Sequence, residues 1–214
     1  MPVPHRPNRI FLLSPAHCGG KRASYLYNDL ARFELARQVR TPAGAPLGEV
    51  FTFLSGLYFR GKWAYARAFA SPPPGAAGAY VITTNRGLVP PETPITLPEL
   101  RDMGCVDIDH EDVRYSGPLE RDLRTLAAGC TDCPFILLGS VATAKYVDIL
   151  LGVLGEKLLF PEEFAGRGDM SRGGLMLRCV EERRELTYVP VATAIRHGKR
   201  PPKLAPRTRM QNAE

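Results

Sequence analysis

The sequence predicts one α/β domain of three layers, in which helices flank a mostly parallel central sheet and a hairpin ends the fold. Two observations support this class. Three short apolar runs, at 9–14, 79–84 and 134–140, are typical of buried strands, and segments with helical spacing separate them. The 214 residues, 44% of them hydrophobic, are enough to bury a sizeable core. We expect this domain to span residues 1–194.

The elements of the first half follow from apolar spacing and from breaker residues. The first strand leads into a predicted helix over 21–40, where Leu26, Leu30 and Phe33 recur at three- and four-residue intervals. The pattern over 48–70 is helical again, and Gly56 divides it into two predicted helices.

The second strand precedes a stretch whose prolines predict a loop without regular structure, over 85–94. Helices are predicted over 97–103 and 118–128, the latter with Pro118 in its first turn. The third strand is followed by a predicted helix over 143–154, with Thr143 as its N-cap.

Two further segments, 175–181 and 185–191, have the apolar character of strands and are joined by a charged turn, which predicts the hairpin. Residues 195–214 form a basic, proline-rich tail that we expect to be flexible.

Net charge and cysteine content narrow the class of partner and compartment. The formal net charge is +6, which favours phosphate-bearing partners such as nucleic acid or nucleotides. The five cysteines are odd in number, and the first apolar run is too short for a secretory signal. We therefore expect free thiols and a cytoplasmic location. No apolar segment has the length of a membrane span, so no membrane association is predicted.

Candidate ligand-binding motifs follow each of the three strands. They read SPAHCGGKR from Ser14, TTNRGL from Thr83 and GSVATAKY from Gly139. Because the carboxyl ends of parallel strands meet at one edge of a sheet, we expect these motifs to converge on a ligand. A fourth stretch, GRGDMSRGG from Gly166, resembles a loop that closes on phosphates.

The opening motif combines glycines with cations. Gly19 and Gly20 allow a ligand to approach the backbone, and Lys21 and Arg22 lie at a predicted helix start that favours anions. The spacing is that of neither a Walker A nor a dinucleotide-binding motif. The alternative is a glycine-rich turn with solvated cations.

Cys18 is a candidate nucleophile, because Lys21, Arg22 and the helix start would lower the pKa of its thiol. A plain small residue in a tight loop is the alternative. Lys21 and Asp169 are the other two candidate catalytic residues.

The remaining candidates are predicted to bind the ligand through cations, hydroxyls or the backbone. They are Ser14, Asn85, Arg86, Gly87, Gly139, Ser140, Lys145, Arg167, Ser171 and Arg172. Each has a structural alternative: a solvated loop cation, close strand–helix packing at Gly139, or internal pairing of Asp169 with the arginines.

Two other features favour structural roles. Cys130 and Cys133 have the spacing of half a zinc site, but no second half is present, and no metal or cofactor is predicted. The aromatic residues of 58–69 interleave with cations as on a nucleic-acid surface, yet their helical spacing fits a core stripe better.

These motifs resemble a known family. SPA after the first strand, LSGLY at 54–58, and the order of NRGLVPPETPI and PFILLGSVATAKY are similar to the YaaA-like group of peroxide-stress and DNA-binding proteins, which is related to uracil-DNA-glycosylase-like folds. The opening motif also looks like the lysine-bearing domain of archaeosine synthase, with Lys21 as the matching lysine, although Pro15 and Cys18 are separated here. The resemblance implies an α/β domain that engages nucleic acid or a nucleobase.

The sequence therefore predicts a nucleic-acid- or nucleobase-acting protein with a cationic, glycine-rich site, whose chemistry is glycosylase-like or base-modifying if it is an enzyme. Two alternatives stay open: a non-enzymatic DNA-binding stress protein, and an enzyme acting on a small anionic metabolite or nucleotide.

Overall fold

A computed structural model describes residues 7–142, 144–194 and 198–204 of the protein. Its central sheet has six strands in the order β4-β3-β1-β6-β7-β8. The strands are β1 (Ile10–Leu13), β3 (Ala79–Ile82), β4 (Leu88–Val89), β6 (Phe135–Leu138), β7 (Leu158–Pro161) and β8 (Tyr188–Pro190). The four inner strands run parallel, and the edge strands β4 and β8 are antiparallel to their neighbours. This confirms the predicted fold class.

Eight α-helices flank the sheet in the described part of the chain. They are α1 (Lys21–Tyr27), α2 (Glu34–Gln38), α3 (Leu47–Ser55), α4 (Leu57–Phe69), α5 (Leu97–Gly104), α6 (Val113–Gly129), α7 (Ala144–Leu154) and α8 (Asp169–Glu181). The predicted break at Gly56 is confirmed. That residue lies between α3 and α4 with φ +62, a conformation that glycine adopts without the strain of a Cβ.

The two central strands form the middle of the core. Every residue of β1 and β6 is buried, as expected of parallel strands covered on both faces. On one side of the sheet, α4 crosses α8 at very close range. A Cβ on Gly61 would lie 2.6 Å from the carbonyl oxygen of Gly173, so only glycine allows this crossing.

The strand order creates a crevice between β1 and β6. The chain leaves β1 for β3 on one side and then returns to β6 on the other side of β1. Right-handed crossovers carry the two connections over opposite faces of the sheet. The carboxyl ends of β1 and β6 therefore border the point where ligands bind in folds of this kind.

The prediction of a single helix over 21–40 is wrong. It is two short helices, α1 and α2, separated by irregular chain from Asn28. Leu30 is 76% exposed, and Phe33 is partly exposed and stacks on Phe53. The Asn28 side chain accepts a hydrogen bond from the Leu30 N–H, a local turn that competes with the helix.

The region predicted as structureless, 85–94, contains short strands. It includes β4, and it overlaps β5 (Pro94–Ile95), which pairs with β2 (Ala45–Pro46). Prolines are compatible with two-residue edge pairings of this kind. In addition, α6 begins at Val113 rather than near 118, because Asp112 caps it, and Pro118 lies inside the helix.

The predicted strand over 175–181 is wrong, because those residues belong to α8. The glycine-rich stretch from Gly166 is consequently a short loop followed by the first turns of that helix. The C-terminal antiparallel pair does exist, but β7 is the partner of β8.

Of the predicted tail, residues 198–204 are described, and they pack beside the start of α8. The carbonyl oxygen of Lys199 lies against Gly166, and that of Pro202 accepts a hydrogen bond from Arg167. The predicted N-cap Thr143 and the rest of the tail lie outside the described residues. None of the described helices is both long and apolar enough to cross a membrane.

Candidate functional site

A cleft lies at the carboxyl ends of β1 and β6. It consists of two adjoining cavities of about 420 Å³ and 300 Å³. The cavities share the lining residues Ala16, His17, Ile108 and Lys145. The loop after β1 thus borders both cavities, as predicted from its place in the fold.

The larger cavity is lined mainly by hydroxyl and charged side chains from two loops and three helices. Ser14 and Ser140 come from the loops that follow β1 and β6, Tyr58 from α4, Tyr146 from α7, and Asp169 from the first turn of α8. The opening motif and the stretch from Gly166 therefore meet here.

The smaller cavity lies on the β3 side of the opening loop. Cys18 and Gly19 line it together with Thr84, Met103 and Asp107. The Thr84 hydroxyl donates to the carbonyl of Met103 at 2.6 Å, so it contributes to holding the wall of this cavity.

A buried lysine lies behind Ser14. Lys62 belongs to α4, and its residue is only 1% exposed. Its Nζ lies 2.8 Å from the backbone oxygen of Ser14 and 2.8 Å from Ser14 Oγ. The amine also lies 4.2 Å from the centre of the Tyr58 ring.

The environment of Lys62 disfavours its charged form. The pKa of the amine falls from 10.5 to about 7, chiefly through burial; Asp169 acts to raise it, and the Arg172 cation contributes to lowering it. An amine with this pKa is available as a base near neutral pH.

Two tyrosines, Tyr58 and Tyr146, also line the larger cavity. Burial raises the pKa of Tyr58 and of Tyr146, so both are protonated phenols at neutral pH. The Tyr146 hydroxyl is 2.9 Å from the Ser140 carbonyl oxygen. The Tyr58 hydroxyl is buried and has no regular hydrogen bond with any described residue, and the nearby Arg172 side chain acts against the rise in its pKa.

Arg172 is a buried cation held by α8 and its preceding turn. Its guanidinium donates to the Phe164 carbonyl oxygen at 3.2 and 3.1 Å and lies 3.6 Å from an Asp169 carboxylate oxygen. The internal pairing of Asp169 with an arginine, one of the predicted alternatives, is therefore present. The Asp169 side chain is 65% exposed and keeps access to the cavity.

Gly139 allows the two strand ends to approach each other. A Cβ at this position would lie 2.8 Å from Ser14 Cβ and 2.9 Å from the Tyr146 hydroxyl. Close packing, the predicted alternative for this glycine, thus accounts for it.

Six of the predicted residues line the cleft, and they are Ser14, Cys18, Gly19, Ser140, Lys145 and Asp169. The predicted cationic cluster does not assemble. Only Lys145 lines the cleft among the predicted cations, which are Lys21, Arg22, Arg86, Lys145, Arg167 and Arg172. Lys21 is exposed on α1.

The other predicted cations bond within the protein. Arg22 donates to the Phe53 carbonyl at 3.1 Å, and Arg86 pairs with Glu99 at 2.8 Å. Arg167 donates to the Glu163 carbonyl at 2.9 Å and to Ser171 Oγ at 3.3 Å. None of these three side chains lines either cavity of the cleft.

The remaining glycine and amide positions have local roles. Gly20 packs against the His17 ring, where a Cβ would come within 2.9 Å. Gly87 has φ +62 and lies against Asp122. The amide oxygen of Asn85 is buried and accepts no hydrogen bond from the residues that the structure describes. Gly20, Gly87 and Asn85 do not line the cleft.

The lowered thiol pKa predicted for Cys18 is wrong. The residue is 3% exposed, and burial raises its pKa to about 12. The thiol lies 3.5 Å from the Ala16 carbonyl oxygen, so it is a protonated packing group near neutral pH.

The structural interpretation of the aromatic stretch agrees with the packing, since Tyr58, Phe59, Tyr65 and Phe69 are buried. Cys130 and Cys133 are buried free thiols, and the described residues contain no group of three or more side chains that could hold a metal ion. Lys62 and Tyr58 in this same stretch, together with Tyr146, are site residues that the sequence reasoning missed.

Comparison of the chain with protein-family models, with curated proteins and with solved structures returned no match.

Proposed function

We propose that the protein is an enzyme that acts on a nucleobase or nucleotide held in the cleft between β1 and β6. The observation that carries the proposal is the convergence of the loops after β1 and β6 with the start of α8 around one cleft. The resemblance of SPA and NRGLVPPETPI to nucleic-acid-associated families supports the ligand class.

The size and chemistry of the cleft fit a single nucleotide. Its two parts measure about 420 and 300 Å³, the range of small-ligand sites and too small for a duplex. Lys145, shared by both parts, would bind an anionic group. Hydroxyls of Ser14, Ser140 and Tyr58 would hydrogen-bond to polar edges of the ligand.

The orphan hydroxyl of Tyr58 is a further indication of a ligand. Buried polar groups almost always have a hydrogen-bond partner. Tyr58 lines the larger cavity, and its buried hydroxyl has no partner among the described residues. A carbonyl oxygen or ring nitrogen of the ligand would accept a hydrogen bond from this hydroxyl.

The proposal is tested by thermal unfolding with added nucleobases, nucleosides, nucleoside monophosphates and short single-stranded oligonucleotides. A ligand that binds the folded protein raises the unfolding temperature, and at equal concentration a tighter ligand raises it more. Lys145→Ala should weaken binding of a phosphorylated ligand about tenfold, the value of one charged hydrogen bond. Lys157→Ala, at an exposed lysine away from the cleft, is the matched control. If no member of the series stabilises the protein, the proposal is wrong.

A second groove favours the alternative of a nucleic-acid-binding protein without chemistry. It measures about 690 Å³ and lies between the start of α8 and residues 200–204. Arg167, Arg200 and Lys203 line it. Affinity for single- or double-stranded DNA that falls steeply with salt and is lost in Arg200→Ala/Lys203→Ala would support this alternative.

A further inference from the structure

Ser14 and Lys62 have the arrangement of a nucleophile and its base. The Ser14 residue lines the larger cavity, whereas Lys62 is buried behind it with its Nζ 2.8 Å from Ser14 Oγ. This is the distance over which a hydroxyl proton passes to an adjacent base.

The hydrogen bonds around Lys62 fit a neutral amine. A neutral amine has two N–H groups and one lone pair. In the structure the amine donates to the Ser14 backbone oxygen and to Ser14 Oγ, each at 2.8 Å. The lone pair of its neutral form can take the Ser14 Oγ proton once rotation about the Cε–Nζ bond turns it toward that oxygen. The hydrogen bond to the Ser14 backbone oxygen orients the amine, as the third residue of a catalytic triad orients its base.

The surroundings of the pair hold both groups in one place. Tyr58 from α4 covers the amine, while Gly139 packs on Ser14 Cβ. The charged and titratable groups that face the pair from neighbouring elements are Asp169 and Arg172 of α8, Tyr58 of α4 and Tyr146 of α7. Burial outweighs the one carboxylate among them, so the base form of Lys62 is accessible near neutral pH.

We infer that Ser14 is an activated nucleophile with Lys62 as its general base, and that the site transfers an acyl group from an ester, a thioester or an activated amide. This inference goes beyond the proposed function, because the Ser14–Lys62 pair could act on an acyl group whether or not a nucleotide carries it.

The reaction has two steps, which are acylation of Ser14 and hydrolysis of the resulting ester. Ser14 Oγ forms a bond to the carbonyl carbon, and its proton moves to Lys62 Nζ. The bond to the leaving group then breaks, and the leaving group departs with the electron pair and the Lys62 proton. Water, deprotonated by Lys62, attacks the resulting ester of Ser14, releases a carboxylic acid and restores the hydroxyl.

Covalent labelling of the full chain with a fluorophosphonate tests this pair without any nucleotide. In the labelling step Ser14 Oγ forms a bond to phosphorus, fluoride leaves, and Lys62 takes the hydroxyl proton. Peptide mass spectrometry should locate the adduct on Ser14. Ser14→Ala should abolish it, and Ser24→Ala, at an exposed serine, should not.

The role of the base is tested by Lys62→Met, which keeps the length of the side chain. Labelling of Ser14 should slow about 100-fold or more, the range of general-base catalysis. Lys157→Met should have no effect. In the wild-type protein the labelling rate should rise with pH through about 7, as Lys62 loses its proton.

Labelling that is absent from Ser14 in the folded wild-type protein overturns the inference, and so does a rate that does not change between about pH 6 and 8. The wild-type pH profile decides the question even if Lys62→Met fails to fold. Nucleotide stabilisation without Ser14 labelling would leave the proposed ligand intact while removing this chemistry, so the two failures are distinguishable.

Discussion

Lys62 Nζ lies 2.8 Å from Ser14 Oγ, although the two residues are 48 positions apart in the chain. The contact joins α4 to the carboxyl end of β1, at the cleft where the loops after β1 and β6 meet the start of α8. The buried amine thus connects the core of the domain to its candidate site.

Lys62→Met should change how stability depends on pH. The lysine has a pKa of about 7 in the folded protein and 10.5 in the unfolded chain, so the unfolded state binds more protons between these values. The group therefore makes the free energy of unfolding rise with pH, by up to about 1.4 kcal/mol per pH unit. Denaturant unfolding between about pH 7 and 9 should show this slope in the wild type and a reduced slope in the variant. Equal slopes would mean that the amine is charged in the fold.

Alkylation of the native protein should separate the cysteines by exposure. Cys105 is exposed, whereas the Cys18 thiol is buried and its pKa is raised to about 12. Iodoacetamide followed by peptide mass spectrometry should label Cys105 at least about tenfold faster than Cys18. Unfolding the protein should remove the difference, which is the control. Rapid labelling of Cys18 in the folded state would restore it as a candidate nucleophile.

Gly139→Ala should destabilise the protein by about 1–3 kcal/mol, because the new Cβ meets Ser14 and Tyr146 within 3 Å. Gly152→Ala is the matched control. It lies in α7 with open space around the position, so it should stabilise the protein by about 0.5–1 kcal/mol. Thermal or denaturant unfolding measures both, and a neutral effect at Gly139 would show that the two strand ends can separate without cost.

Tyr58→Phe separates a role in folding from a role in binding. Because the buried hydroxyl has no hydrogen-bond partner in the described part of the chain, its removal should leave the free energy of unfolding unchanged or raise it. Affinity for a ligand that accepts a hydrogen bond from Tyr58 should fall about tenfold. Calorimetry with the ligand identified by thermal unfolding measures the second effect. A large loss of stability would assign the hydroxyl to the fold instead.

The strands and the position of the cleft were predictable because they depend on local patterns. The runs around Ile10 and Phe135 are wholly apolar, as parallel strands buried on both faces must be. The loops that follow such strands share one edge of the sheet by topology alone. This is why Ser14, Ser140 and Lys145 could be assigned to one site from the sequence.

The rest depends on contacts between distant segments. The apolar stretch from Leu175 has the composition of a strand, but the close approach of Gly61 and Gly173 places it in a helix against α4. Lys62 lies on a buried helical face, and nothing near it in the sequence indicates Ser14 as its partner. The predicted cations failed to cluster because nearby carbonyls and carboxylates bind them locally, as for Arg22 and Arg86.

The most direct test of the account is an NMR titration of the Lys62 side chain in the full chain with isotope-labelled lysine. Lys62→Met identifies the signal by its disappearance. The account predicts a midpoint near pH 7, well separated from the midpoints of exposed lysines. A midpoint near the ordinary value of 10.5 would show a charged amine beside Ser14 and would contradict the assignment of Lys62 as a base.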